Sequence, residues 1–325
     1  MKKHDFILHS LAIESGKAVE LYELEEISSL ISSEQLGWVH LDGTNALSKP
    51  FLQQASNTAD ELILEALFSE ETRPRTALLD EGILIILRGV NLNENDAPED
   101  MISLRLWLDQ YCLVSVQRRP LKAIADTYNK LLSQKSEATS GEIVASLITK
   151  LFQRMQPTLS NLSDQIDDLE DLFIENPHLI SNQQIVQLRK KIIKFRRYIA
   201  PQKQAIATIL ESEISWLNKA SKRQLQETYD IILRHLESLD NYRDRSQIIA
   251  DELAHFHASK MNQNMYILSI IAAIFLPLSF LPGLLGINIG GIPGANNDHA
   301  FFIFCGLLVC VACFQLYLFR RLKWL

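Results

Sequence analysis

Two apolar stretches near the C-terminal end decide the architecture of this chain. Residues 266–285 read YILSIIAAIFLPLSFLPGLL, and residues 300–319 read AFFIFCGLLVCVACFQLYLF. Each has about 20 residues, the length of helix that crosses the hydrocarbon core of a bilayer. No charged residue lies between Lys260 and Asp298, or between Asp298 and Arg320. We therefore expect an integral membrane protein with two transmembrane helices.

The charges around these stretches predict their orientation. The loop 286–299 contains no Lys or Arg, whereas the tail 320–325 contains Arg320, Arg321 and Lys323. Basic residues favour the cytoplasmic side of a membrane, so we expect the tail in the cytoplasm and the loop in the periplasm. Two crossings then place the N-terminal region in the cytoplasm too. The start of the chain shows no apolar signal-peptide core, which agrees with a multi-pass protein of the inner (plasma) membrane with both termini cytoplasmic.

The region before the membrane stretches is acidic. The whole chain has a net charge of −7, and residues 261–325 hold one acid and three bases, so residues 1–260 carry −9. Nucleic acid is not an expected partner, because binding to phosphate backbones needs clustered Lys and Arg. A negative field instead concentrates cations. The 4 cysteines do not have the spacing of a disulfide framework.

Residues 1–135 predict a cytoplasmic α/β domain. Branched and alternating apolar runs, bounded by turn residues, are typical of strands. The predicted strands are 6–13, 37–41, 76–79, 83–90, 102–108 and 112–116, and the predicted helices are 49–67 and 121–132. The region shows no Gly-rich phosphate loop, nucleophile elbow or zinc-protease motif, so we do not expect an enzyme. The acids of 93–100 are open to two interpretations, a solvated loop or metal ligands.

Residues 136–220 predict a helical region and residues 221–265 a stalk helix. Apolar residues recur at helical spacing over 142–175, with acids at the end, and a second helix is expected over 182–216, interrupted or bent at Pro201. A helix over 221–285 would measure about 98 Å, of which only a third fits in a bilayer. Heptad-like spacing predicts a bundle or coiled-coil stalk through Leu225, Ile232, Leu239, Leu253 and Ile267.

The first membrane stretch, 266–285, has one face that becomes small and polar towards its end. Residues three and four apart share a helix face. This face contains Met265, Leu268, Ala272, Leu276, Ser279 and Gly283, and it leads to Gly286. Small residues favour close packing between membrane helices, but they also suit the lining of a pore. A pore would require several copies of the chain, since two spans cannot enclose a water path.

The segment Gly286-Ile287-Asn288, followed by a short loop, a second span and a basic tail, resembles the CorA metal-ion transporter superfamily. The usual tripeptide of that family is Gly-Met-Asn, and Ile287 with the following Gly290-Gly291-Ile292-Pro293-Gly294 is similar to its zinc-transporter branch, ZntB. The resemblance extends over the whole chain: α/β domain, helical region, stalk helix and two spans.

This resemblance implies a funnel-shaped homopentamer in which the first span lines the pore and the second faces lipid. Asn288 from each protomer would form a neutral polar ring that holds a hydrated cation. The resemblance also aligns Asp251 with an acidic ring in the cytoplasmic part of the pore. The transported ion is expected to be Zn2+, as cargo, and we expect no resident cofactor.

Other interpretations remain at this point. The chain could transport Mg2+, Co2+ or Ni2+, or it could be a membrane-anchored oligomeric scaffold or signalling protein. His255 and His257 point apart on a helix, so a solvated role competes with metal staging. Cys310 and Cys313 share a face, but no third ligand accompanies them, which favours inert apolar cysteines.

Overall fold

The computed structural model describes residues 4–14, 17–56, 59–80, 82–133, 139–286 and 298–322. The chain forms two compact units, Met1–Ala250 and Asp251–Leu325. The first unit contains a β-sheet and the helices that accompany it, and the second contains the two apolar stretches.

One mixed sheet forms the centre of the first unit. In the described residues it has seven strands, in the order β2-β1-β3-β7-β6-β5-β4, and only the β3–β7 pair is parallel. The strands are β1 (Ile7–Glu14), β2 (Lys17–Glu20), β3 (Gly37–Asp42), β4 (Arg75–Leu79), β5 (Gly82–Gly89), β6 (Ile102–Leu108) and β7 (Cys112–Gln117). Every residue of β6 is buried, so both faces of the sheet are covered there. All six predicted strands are confirmed, and the short edge strand β2 was not predicted.

Both units contain helices. They are α1 (Leu24–Ser32), α2 (Ser48–Ala55), α3 (Glu61–Phe68), α4 (Lys122–Ser133), α5 (Ser140–Gln153), α6 (Gln156–Glu175), α7 (Asn182–Glu211), α8 (Lys219–Leu285) and α9 (Ala300–Arg321). The α/β N-terminal domain, the long helix and the C-terminal helix are those that the sequence predicts.

Two predicted helices are each divided in the structure. The prediction of a single helix over 49–67 is wrong, because α3 is a separate helix that begins after Asp60. The Asp60 carboxylate accepts a hydrogen bond from the Ile63 N–H at 2.9 Å. Such an N-cap satisfies an N–H that has no partner inside the helix. Residues 142–175 also form two helices, α5 and α6. Pro157 lies in the first turn of α6, where its missing N–H costs no hydrogen bond.

Helix α7 differs from the prediction at its end, and of the two alternatives expected at Pro201 the interruption does not occur. The helix continues through Pro201 without interruption and ends at Glu211 rather than at 216. Ser212 has an extended backbone, and its hydroxyl donates to the Ile209 carbonyl at 2.6 Å. This bond satisfies a carbonyl at the end of the helix.

The long helix α8 confirms the predicted stalk. Leu225, Ile232, Leu239 and Leu253 are fully buried. Ser246 is also fully buried although it breaks the apolar repeat, because its hydroxyl donates to the Arg243 carbonyl at 2.7 Å. A buried hydroxyl with a backbone partner avoids the cost of an unsatisfied polar group. The remaining predicted position, Ile267, is half exposed.

Inside the first unit, α8 is joined to its neighbours by polar contacts as well as apolar ones. Thr228 and Thr149 of α5 lie 2.9 Å apart, Oγ1 to Oγ1, and His235 Nε2 lies 3.1 Å from the Gln156 side-chain oxygen of α6. Burial lowers the pKa of His235 to about 4, so this imidazole is neutral at pH 7. These contacts fix which turns of α8 lie beside α5 and α6.

Candidate metal-ion pathway

The two membrane stretches pack along matching stripes. On α8 the partly covered residues recur every three or four positions: Ile270, Ala273, Ile274, Pro277, Leu278 and Leu281. The covered stripe of α9 has the same periodicity: Phe304, Cys305, Leu308, Val311, Ala312, Gln315 and Phe319. Gln315 Nε2 donates to the Ala273 carbonyl at 3.4 Å. The stripe on α8 is therefore the side that faces α9.

The predicted pore face lies on the opposite side of α8. At about 100° per residue, its centre is roughly half a turn away from the centre of the covered stripe. All of its members are exposed in the single chain: Met265, Leu268, Ala272, Leu276, Ser279 and Gly283. A Cβ built at Gly283 would meet no atom within 4 Å. The small residues therefore do not serve to pack α8 against α9, and their lining of a pore stays a prediction.

The described part of the predicted tripeptide consists of Gly286 alone. Its N–H donates to the Pro282 carbonyl at 2.8 Å, and an added Cβ would lie only 2.9 Å from that same oxygen. Glycine therefore allows the close approach that ends α8. Ile287 and Asn288 lie outside the described residues, so the polar ring at the pore mouth stays a prediction.

Gln315 is a residue that the sequence analysis missed. Pro277 has no N–H, so the Ala273 carbonyl four residues earlier loses its helical donor. The Gln315 amide of α9 supplies a substitute donor, while its own oxygen is buried without a partner among the described residues. The carbonyl that Pro277 frees therefore faces α9 rather than a pore axis. The sequence does contain a signal for this contact: a Gln lies among apolar residues in one span, and a Pro lies in the other.

The exposed face of α8 continues towards the first unit. Before Met265 in the chain, exposed residues continue at helical spacing through Asn262, Ala258 and Ala254. Asp251, at the end of this series, is also exposed. The proposed acidic ring at Asp251 stays a prediction. His255 and His257 are also exposed.

The other candidate metal ligands have no metal-binding geometry in the described parts of the chain. Among these residues, no group of three or more His, Cys, Asp or Glu is placed to hold an ion. In the 93–100 loop, Asp96 accepts from the Asn91 amide at 2.9 Å and Asp100 pairs with Lys194. Cys310 and Cys313 are exposed as free thiols. For the acids of the 93–100 loop, the structure favours the solvated-loop interpretation.

The acidic end of α6 pairs with a base of α8. Arg245 of α8 donates from Nε to Glu170 at 2.8 Å and also pairs with Asp167. These hydrogen bonds to the two carboxylates raise the pKa of the Arg245 guanidinium. The other acids of the cluster are Asp164, Asp168, Asp171 and Glu175. Two carboxylates of the cluster are thus neutralised by a base within the same unit.

The pairing of Gln315 with the carbonyl freed by Pro277 generates a prediction. Gln315→Leu should cost about 0.6–2 kcal/mol of stability in the parent chain, the range of hydrogen bonds between membrane helices. In a Pro277→Ala background the cost should be smaller, because the restored amide of residue 277 can donate to Ala273. Thermal unfolding of the four proteins of this cycle in detergent measures both costs. Equal costs in the two backgrounds would show that Gln315 does not replace the missing donor.

Comparison with known proteins identifies the family of this chain. The family described as CorA-like Mg2+ transporter protein matches residues 33–321. The divalent cation transporter CmaX of Pseudomonas aeruginosa is 37% identical over 303 residues, covering 92% of this chain and 90% of its own length. The zinc transport protein ZntB of Yersinia enterocolitica is 32% identical over 322 residues, covering 97% of this chain and 98% of its own.

A solved structure is similar over the same extent. The full-length CmaX structure superposes with a TM-score of 0.85 at 33% identity and covers 99% of both chains. The match of fold, of sequence over nearly the whole length and of two candidate membrane helices confirms the resemblance that the tripeptide and the tail indicate. The chain belongs to the CorA-like Mg2+ transporter family.

Proposed function

We propose that this chain is one subunit of a divalent-cation transporter, and that the exposed face of α8 lines the ion path. One observation carries the proposal: in the single chain, the predicted pore face is exposed and lies opposite the stripe covered by α9. A membrane helix with one face against its own partner helix has the other face available for copies of itself. Membership of a transporter family supports the same assignment.

The proposed assembly is a homopentamer in the inner membrane with both termini in the cytoplasm. Two helices cannot enclose a water-filled path, so several copies must surround an axis. The basic residues Arg320 and Arg321 at the end of α9 favour a cytoplasmic C-terminus. Both spans are long and apolar enough to cross a bilayer, and α9 would face lipid in this arrangement.

The proposed cargo is Zn2+, carried passively or coupled to protons. The named relatives include zinc transport proteins and a divalent cation transporter, and Ile287 stands where the common tripeptide has Met. A ring of Asn288 amides would accept hydrogen bonds from the water shell of the ion, and because the ring is neutral the ion could leave again. Mg2+, Co2+ and Ni2+ are the competing ions.

The oligomeric state is the first prediction. In detergent, the protein should have a mass about five times the 37.0 kDa of the chain, because the pore needs several copies of α8. Light scattering with correction for bound detergent measures the mass. A monomer or dimer that still transports metal would contradict the pore lined by several copies.

The Asn288 ring gives a prediction with a matched control. Asn288→Ala should strongly reduce Zn2+ uptake into proteoliposomes, whereas Asn296→Ala, which removes an amide from the same loop, should leave it close to the parent rate. Each variant is compared at equal pentamer content with a zinc-sensitive dye. Parental uptake by Asn288→Ala would mean that the tripeptide only ends the helix. Absence of flux in the parent with every divalent ion would favour the scaffold interpretation.

Two glycines test which helix lines the path. Gly283 of α8 and Gly306 of α9 both have open space, with no atom within 4 Å of an added Cβ. Gly283→Leu should block flux sterically, whereas Gly306→Leu should transport at close to the parent rate, because its side chain would face lipid. Neither substitution creates a clash inside the chain, and flux is compared at equal pentamer content, so that a loss of assembly is not mistaken for a blocked path. The reverse result would assign the path to α9.

A further inference from the structure

A cleft in the first unit brings arginine side chains together, far along the chain from the membrane stretches. The cleft has a volume of about 810 Å³ and lies between the segment before β4, strand β5 and helix α7. Its lining includes Arg73, Arg88 and Arg197, together with Tyr198 and Glu71. No part of the transport proposal uses these residues.

Arg88 is held rigidly at the wall of this cleft. Its Nη1 donates to the Met101 carbonyl and its Nη2 to the Thr72 carbonyl, each at 2.9 Å. Both acceptors are neutral, so they orient the guanidinium without cancelling its charge. Arg88 Nε is buried and has no partner among the described residues. Burial lowers the pKa of this guanidinium, which shows that its positive charge is kept at a cost in solvation.

Tyr198 places a second guanidinium near the first. The Cζ atom of Arg88 lies 4.3 Å from the centroid of the Tyr198 ring, and the Cζ atom of Arg197 lies 5.1 Å from the same centroid. Each of these contacts is a cation–π interaction, which fixes the plane of an arginine without neutralising it. The ring therefore contacts two like charges, and both of these arginines line the cleft.

The charge of the cleft is not balanced by the chain. In the described ranges, none of the ion pairs engages Arg73, Arg88 or Arg197. Glu71 is the one acid among the residues described as lining the cleft. Three guanidiniums against one carboxylate leave an excess of positive charge in a region, residues 1–260, whose net charge is negative.

We propose that this cleft binds a phosphate group, either free phosphate or the phosphate of a nucleotide. Guanidinium groups present paired N–H donors that match the oxygens of phosphate, and such charge-assisted hydrogen bonds are short and strong. Arg88, whose orientation is already fixed, binds the phosphate at the wall of the cleft. The exposed side chains of Arg73 and Arg197 bind it from the rim. The site is independent of the ion path, so its test needs no transport.

Binding to the full-length protein in detergent tests the proposal. Inorganic phosphate, pyrophosphate and ATP are titrated separately by calorimetry in metal-free buffer at constant ionic strength, with chloride as the background anion. The variants are Arg73→Gln and Arg197→Gln, chosen because both side chains are exposed and outside the fixed contacts of Arg88. The matched control is Arg223→Gln, an exposed arginine on α8 that does not line the cleft.

We expect saturable binding of at least one phosphate ligand. Each rim variant should weaken this binding about tenfold, and Arg223→Gln should leave it unchanged. Similar affinities for phosphate and ATP would identify free phosphate as sufficient, and much tighter binding of ATP would identify a nucleotide. Absence of saturable binding, or binding that the rim variants do not change, would overturn the proposal. It would also be overturned if the rim variants altered only the mass of the assembly, because the arginines would then pair with acids of a second copy.

Discussion

The structure depends on the rule that a backbone in hydrocarbon must satisfy its own hydrogen bonds. This rule makes 266–285 and 300–319 helical whatever surrounds them, and it makes each interruption costly. Pro277 removes one donor in the first span, and the cost is reduced by an amide from the second span at the freed Ala273 carbonyl. A polar side chain in α9 is thus explained by the backbone of α8. The same contact lies on the face of α8 that α9 covers.

The sequence predicts those elements for which local pattern and tertiary environment agree. Residues 102–108 form a strand in both, because apolar residues recur at every second position of β6 and every residue of this strand is buried. The stalk positions Leu225, Ile232 and Leu239 are buried as the repeat predicts. The failures come from short-range signals that were overlooked. Asp60 and Pro157 each mark a helix start, and both lie inside runs whose apolar spacing continues across the break.

The sequence pattern alone does not predict which residues distant in the chain contact one another. Gln315 and Ala273 meet only when the rotation of both spans is known, and Arg88 and Arg197 meet only when α7 lies on the sheet. The basic run at 189–197 has the appearance of a solvated helix face, and part of it does pair with acids, as Arg196 does with Asp240 at 2.6 Å. Arg197, one residue further along, lies in the cleft instead. A helix turns about 100° per residue, so neighbours in such a run have different surroundings.

The exposed α8 face becomes smaller and more polar towards the end of the helix. Met265, Leu268 and Leu276 would be stable against lipid, whereas Ser279 and Gly283 bury little apolar area in any setting. Contact with α9 does not explain these two residues, because both are exposed in the single chain. Their exposed position beside the loop with the Gly-Ile-Asn tripeptide is explained if copies of α8 approach one another closely while leaving room for a hydrated ion. In the proposed transporter, the single chain would present only part of the ion path, and other copies of the same helix would supply the rest.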